Sequence, residues 1–284
     1  MKSGLIVGFL LCTIIAGAFS QENSGIFSCK VGAFEVFMMV EAQRPGNAEI
    51  LVGADESLIK RYIPAEGFFH STNTFLIKAE GRTILVDTGF GQALFEHLKK
   101  LNVDPGQIDA VLITHMHGDH IGGLAKDGKA LFPKAKIYLS VRELEYWTKT
   151  NVNQGAVDAL APYGAQVETF LPAELDGELG ELLPGIIPVA NYGHTPGHTV
   201  FLLENSGEKF IIFGDLLHAA LVQFPLPDIS ATYDMDKEAA AAVRRQILSY
   251  AAKNKIPVGG MHVVYPGVGM VEADGDGFKF IPME

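Results

Sequence analysis

The run Thr114-His115-Met116-His117-Gly118-Asp119-His120 sets three imidazoles and a carboxylate side by side. These groups together suit zinc, iron or manganese. His115 and His117 alternate, so an extended backbone points both the same way. Gly118 lets the chain turn and aim Asp119 and His120 elsewhere, so one short loop can serve two metal ions. The apolar run Ala110-Val111-Leu112-Ile113 before it reads as a buried strand, and Ile121-Gly122-Gly123-Leu124 after it reads as a helix start. A strand–loop–helix setting is where a rigid sheet can hold ligands against a pocket.

The surrounding pattern supplies such a sheet. Strand-like segments fall at 31–40, 72–79, 83–86, 110–113, 136–139, 186–190, 199–203 and 210–213. Gly81-Arg82 joins two of them as a hairpin. Helix-like periodicity covers 91–101, 141–149, 155–161 and 236–253, the last with Asp236 as N-cap. Segments 268–271 and 278–281 form a hairpin across Asp274-Gly275-Asp276-Gly277. Residues 216–234 have no clear period, contain Phe224, Pro225 and Pro227, and read as a loop able to cover a pocket. Interleaved strands and helices in both halves predict an α/β (α+β) arrangement of sheets covered by helices.

Length and charge narrow the function. The chain has 284 residues, 48% of them hydrophobic, which is ample for one large core. Its formal net charge of −11 argues against nucleic acid as partner, because phosphate binding needs a basic face. Residues 1–20 resemble an export signal, with Lys2 ahead of an apolar stretch at 5–18 and small residues Ala18 and Ser20 flanking Phe19 before Gln21. The expectation is a periplasmic or secreted protein, a single mature domain over 21–284, and no membrane association after cleavage. Cys12 lies in the apolar stretch, so the mature chain keeps only Cys29 and has no internal disulfide. Phe37, Met38 and Met39 serve a homodimer surface or the core equally well.

Three further segments carry ligand types at strand ends: Gly193-His194-Thr195-Pro196-Gly197-His198, Phe213-Gly214-Asp215 and Met261-His262. With Asp87 in Leu85-Val86-Asp87-Thr88-Gly89 and the His115–His120 run, they form five motifs in order. From about Phe69 onward the chain therefore resembles the metallo-β-lactamase superfamily. The resemblance implies an αββα sandwich of two mixed sheets with a dinuclear site at one edge. It assigns His115, His117 and His194 to one metal and Asp119, His120 and His262 to the other. Asp215 bridges them. Asp87 orients the ligand loop, and His198 stands behind the ligands.

Within that superfamily, Asp215 disfavours a true β-lactamase, which has Cys or Ser there. A glyoxalase II needs a basic C-terminal region, and residues 275–284 offer only Lys279. The segments 120–124, 131–133, 145–147, 214–224 and 262–267 resemble the methyl parathion hydrolase and lactonase branch. This implies a hydrolase whose hydroxide, shared by two zinc ions (iron or manganese being alternatives), attacks a lactone or carboxylic ester, with promiscuity toward phosphotriesters. Asp119 orients that hydroxide. His218 stands where lactonases place a Tyr; it donates to the developing oxyanion or merely packs beside the site. Trp147, Phe224 and Phe90 are candidate pocket walls, with a place in the ordinary core as the alternative for each. An iron-dependent redox relative and a non-catalytic metal-binding protein are the competing readings. Asp215→Asn is expected to abolish hydrolysis and release at least one metal; full activity with two metals still bound by elemental analysis would remove Asp215 from the site.

Overall fold

The computed structural model describes residues 24–79 and 81–284. The export-signal reading of residues 1–20 lies outside the described residues. Among those described, no helix is long and apolar enough to cross a membrane.

Strand Phe69–Ala79 shows why two sheets stack with helices outside them. Phe75 and Ile77 point into the layer between the sheets, Leu76 points the other way, and all three are fully buried. Strand Arg82–Val86 repeats the pattern, with Ile84 and Val86 inward and Leu85 outward. A period of two with both sets apolar demands cover on both faces. Sheet one therefore has seven strands, in the order Ile26–Val31, Phe34–Pro45, Phe69–Ala79, Arg82–Val86, Ala110–Leu112, Lys136–Ser140, Val167–Phe170. The first four pair antiparallel and the rest pair parallel. Sheet two has six strands, in the order Ile186–Ala190, Thr199–Asn205, Glu208–Ile212, Val258–Gly259, Val268–Asp274, Gly277–Pro282. Only the pairing of Glu208–Ile212 with Val258–Gly259 is parallel.

Three apolar layers result. Leu94, Leu98, Trp147 and Leu160 of the helical segments cover the outer face of sheet one. Phe201, Phe210 and Ile212 of sheet two meet Phe75 and Ile77 at the centre. Ile247, Leu248 and Ala251 of helix Lys237–Asn254 cover Val200, Leu202 and Ile211 on the far side. This is the αββα sandwich of two mixed sheets.

Some elements depart from the sequence reading. The strand expected over 31–40 is two strands, Ile26–Val31 and Phe34–Pro45, folded back at Gly32. Gly32 has φ +58°, and a Cβ there would sit 2.4 Å from Asn205 Oδ1, so the tight turn against the neighbouring hairpin needs glycine. Helix Leu94–Lys100 starts later than expected because residues 87–93 turn around the site first; the buried Glu41 carboxylate accepts from the backbone N–H groups of Gln92 and Leu94. The helix over 141–149 is α-helical only for Val141–Glu145 and opens into a π turn at Tyr146–Thr150. Met38 and Met39 are fully buried, so they belong to the core and do not furnish a dimer surface. Residues 216–234 are not a free covering loop: they hold helix Ala220–Gln223 and strand Ser230–Ala231, which pairs with Leu51–Val52. Leu51, Phe68, Ala219, Val222 and Ile229 form a small separate apolar cluster there.

Because Phe75 is wholly enclosed between the sheets, Phe75→Ala is expected to cost about 3–5 kcal/mol in urea unfolding of the metal-free protein. A loss under about 1 kcal/mol would take it out of the load on the central layer.

Candidate metal centre

Each ligand-type residue follows a strand, on the same edge of the sandwich. His115 and His117 follow Ala110–Leu112, and Asp119 and His120 lie on the one-turn helix Gly118–Ile121. His194 follows Ile186–Ala190, Asp215 follows Glu208–Ile212, and His262 follows Val258–Gly259. One edge of the sandwich therefore gathers residues separated by nearly 150 positions.

The gathered atoms form two groups, His115, His117, His194 and Asp215 in one and Asp119, His120 and His262 in the other, the atoms of each lying within 4.8 Å of one another. In the first, His117 Nδ1 is 3.0 Å from both His115 Nε2 and His194 Nε2, and those two are 3.2 Å apart. Neighbouring nitrogens around a tetrahedral zinc at about 2.0–2.1 Å stand about 3.3 Å apart. Asp215 faces both groups: Oδ1 is 3.1 Å from His120 Nε2, while Oδ2 is 3.3 Å from His194 Nε2 and 3.0 Å from His262 Nε2. Asp119 closes the second group, 3.7 Å from His262 Nε2 and 3.8 Å from His120 Nε2.

The hydrogen bonds behind the rings decide what these nitrogens offer. His120 Nδ1 is 2.7 Å from Asp87 Oδ2, His194 Nδ1 is 3.0 Å from Asp234 Oδ1, and His262 Nδ1 is 2.7 Å from the Ser71 carbonyl. Those oxygens accept only, so each Nδ1 carries the proton. Thr114 Oγ1 donates to Asp87 at 2.6 Å and so accepts from His115 Nδ1 at 3.1 Å. Four Nε2 atoms therefore converge on a buried carboxylate, each offering a lone pair whenever its ring is neutral. His120 Nε2 and Asp215 Oδ1 lack hydrogen-bond partners although buried. Converging buried lone pairs are costly without a cation, and a pair of divalent ions fits this donor set.

Burial holds the His117 imidazole down to about 4 and keeps it neutral. At His194, burial also lowers the value, but hydrogen bonds to Asp215 and Asp234 outweigh it and raise it to about 9. Burial would raise Asp215, yet the surrounding imidazoles hold it well below the usual carboxylate range. Without a cation, protons therefore balance Asp215.

Asp87 sits at φ +56° and accepts from Thr114 N at 2.8 Å, which fixes the start of the ligand loop. His198 is not in the ligand groups. It accepts from Asp215 N–H at 3.0 Å through Nε2, and its Nδ1 then donates to the Asn191 carbonyl at 3.0 Å. Gly214 permits that approach: its φ is +58°, and a Cβ would fall 2.4 Å from His198 Nε2. His218 is buried with Nε2 3.2 Å from Asp215 Oδ2.

A cavity of about 440 Å³ opens over Asp119, Asp215, His218 and His262, walled by Phe68, His70, Phe90 and Tyr233. A second, of about 620 Å³, lies beyond His117 and Gly118, walled by Trp147, Met116, Ile121 and small residues. Trp147 thus lies beside the site, its ring 5.5 Å from that of His117. Phe90 lines the first cavity. Phe224 does not: it is buried and stacks on Phe280 at 5.0 Å, because helix Ala220–Gln223 turns it into the layer under sheet two.

Sequence reasoning missed several supports and one cavity wall, His70. Glu143, wholly buried, accepts from Met116 N, Thr195 Oγ1, Gly197 N and Trp147 Nε1 at 2.5–2.9 Å, tying the two ligand loops together. Asp234 and Ser71 are two others. A carboxylate three residues into a helix and one in an irregular loop carry no motif signal. The i, i+4 spacing of Glu143 and Trp147 was the only visible hint.

The model of the metallo-beta-lactamase superfamily matches residues 67–266. The chain belongs to that superfamily. Among solved structures, the hydrolase AbOPH in the beta-lactamase superfamily is similar at TM-score 0.83 and 26% identity, covering 92% of this chain and 98% of that one. AidC, a dizinc quorum-quenching lactonase in complex with an acyl-homoserine product, is similar at TM-score 0.79 and 25% identity over the same shares. Uncharacterized protein YobT of Bacillus subtilis (strain 168) is 25% identical over 197 residues, 66% of this chain and 82% of YobT. Of several other curated relatives it matches, the chain spans between 28% and 54% of their length. As superfamily membership and these neighbours have it, the cluster is a candidate site for divalent metals in a hydrolase fold.

With protons balancing Asp215 in the metal-free protein, zinc loading at pH 7.5 is expected to release protons, and affinity is expected to fall as pH drops. Calorimetric titration in two buffers of different ionisation enthalpy measures this; identical heats would mean the imidazoles were already deprotonated.

Proposed function

We propose that this protein is an exported dinuclear metal-dependent hydrolase of lactones or carboxylic esters, with zinc as the metal. The observation that carries the reading is the convergence of Nε2 atoms, on rings anchored through Nδ1, and Asp215 beneath an open, largely apolar cavity. Likeness to the lactonase AidC supports the substrate class, and the leader-like residues 1–20 support export. No Lys or Arg stands among the described residues lining that cavity, which favours a neutral substrate over an anionic one.

His115, His117 and His194 would hold one ion, Asp119, His120 and His262 the other, with Asp215 between. When bound, such ions supply Lewis acidity and lower the pKa of water to about 7. The chain's own residues do the rest. Phe68, Phe90 and Tyr233 exclude water around an apolar substrate. Asp119, partly exposed and held below its ordinary pKa although burial opposes this, is an ionised acceptor that orients the attacking water and takes its proton.

His218 differs from the four imidazoles with fixed tautomers. Its Nδ1 has no hydrogen-bond partner, so nothing behind the ring forces the proton there. Burial pushes it down to about 4, so it is neutral at pH 7. It is thus free to carry its proton on Nε2, facing the reaction centre, and to donate to the oxygen on which charge develops. Phosphotriesters present a similar oxygen, which accounts for an expected side activity.

The test is hydrolysis of a γ-lactone, dihydrocoumarin, an aryl acetate and methyl parathion by protein with and without chelator. Chelator-sensitive turnover of lactones or esters is expected; silence across the panel with two metals bound would sink the reading. His218→Ala is expected to lower kcat about 100-fold or more at unchanged metal content. An unaltered kcat would leave His218 a packing residue.

A further inference from the structure

Arg244 is a fully buried guanidinium on helix Lys237–Asn254, whose other buried residues, Ala240, Ile247, Leu248 and Ala251, are apolar. A helix that only had to cover a sheet would place an aliphatic residue there. Burying this charge is strongly unfavourable unless its donors are met. They are met by one segment. Nε donates to the Leu216 carbonyl at 2.6 Å, Nη1 to the carbonyls of Pro227 at 2.8 Å and Ile229 at 3.0 Å, and Nη2 to Asp234 Oδ2 at 3.3 Å. The fork thus grips residues 216–234 at both ends and in the middle.

That segment carries the groups that face the centre. Its first residue follows Asp215, and it bears His218, whose backbone N–H donates to Gln223 Oε1 at 2.7 Å. Gln223 Nε2 in turn donates to the Ile229 carbonyl, the same oxygen that Arg244 holds. At its far end, Asp234 shares its two oxygens: Oδ1 accepts from His194 Nδ1, while Oδ2 accepts from Ala231 N and Arg244. Backbone bonds from Met235 and Asp236 to His194 and Gly193 complete the tie.

We propose that Arg244 is a positioning residue for the metal centre: through Asp234 it fixes the tautomer and direction of His194, and through the carbonyls it fixes the segment bearing His218. The inference rests on the metal-centre reading of His194 but not on any substrate. A lysine keeps the charge but not the planar fork, so Arg244→Lys is the informative substitution, with Asp234→Asn as its near-isosteric counterpart.

The experiment is zinc competition against a chromophoric chelator, with the metal-free fold of each variant checked by circular dichroism. Each single variant is expected to hold one of two zinc ions about 10–100-fold more weakly, with the other unchanged. The double variant is expected to hold that zinc no more weakly than the worse single one, because both substitutions reach His194 through the Asp234 carboxylate. Wild-type affinities in folded variants, or losses that multiply, would overturn the proposal. Should neither variant fold, long-range proton–nitrogen correlation spectra of the zinc-loaded wild-type protein decide it. They are expected to show the His194 proton on Nδ1; a proton on Nε2 would overturn it. None of these readouts depends on turnover, so an incorrect substrate class would leave them unchanged.

Discussion

A buried carboxylate that sees five imidazoles governs this molecule. The oxygens of Asp215 lie within 3.6 Å of the Nε2 atoms of His115, His120, His194, His218 and His262. Such a cluster is tolerable only if every ring is held in one orientation and the lone pairs share a cation. Much of the surrounding polar structure answers the first demand. Asp87, Asp234, Ser71 and Thr114 each take the Nδ1 side of one ring, and His198 takes the N–H of Asp215 itself.

The polar supports are themselves supported. Glu143 binds the loop of His115 and His117 to the loop after His194, and Arg244 binds Asp234 to the segment beyond Asp215. Each is wholly buried; three of the four acceptors of Arg244 and two of the four donors to Glu143 are backbone groups. Preorganisation of this kind keeps ligand atoms in place where most of the ligands stand on loops.

The ligands and the sandwich were legible in the sequence for different reasons. His115–His120, His194, Asp215 and His262 are chemically unusual at strand ends, and the apolar runs beside them mark a sheet buried on two faces. The supports were not legible because their partners, side chain and backbone alike, come largely from segments far apart in sequence, and no fixed spacing marks them. Phe224 was misplaced for a related reason: apolar character says that a ring is covered, not by which layer. Residues 216–234 look structureless because a two-residue strand and a four-residue helix are too short to show a period, yet Arg244 and Gln223 hold them firmly. The assignment of His218, Trp147 and Phe90 to chemistry or to substrate walls rests on where they sit around the cavity.

Each of the two candidate ligand groups draws on both sheets. His115, His117, Asp119 and His120 hang from the seven-stranded sheet, while His194, Asp215 and His262 hang from the six-stranded one. Away from this edge, the layers meet mainly through non-directional apolar contact, with hydrogen bonds from Gly32 and Ala33 to Glu208 and Asn205 at one turn. Ions held here would act as rivets between two plates, so metal supply would set how long the fold itself survives.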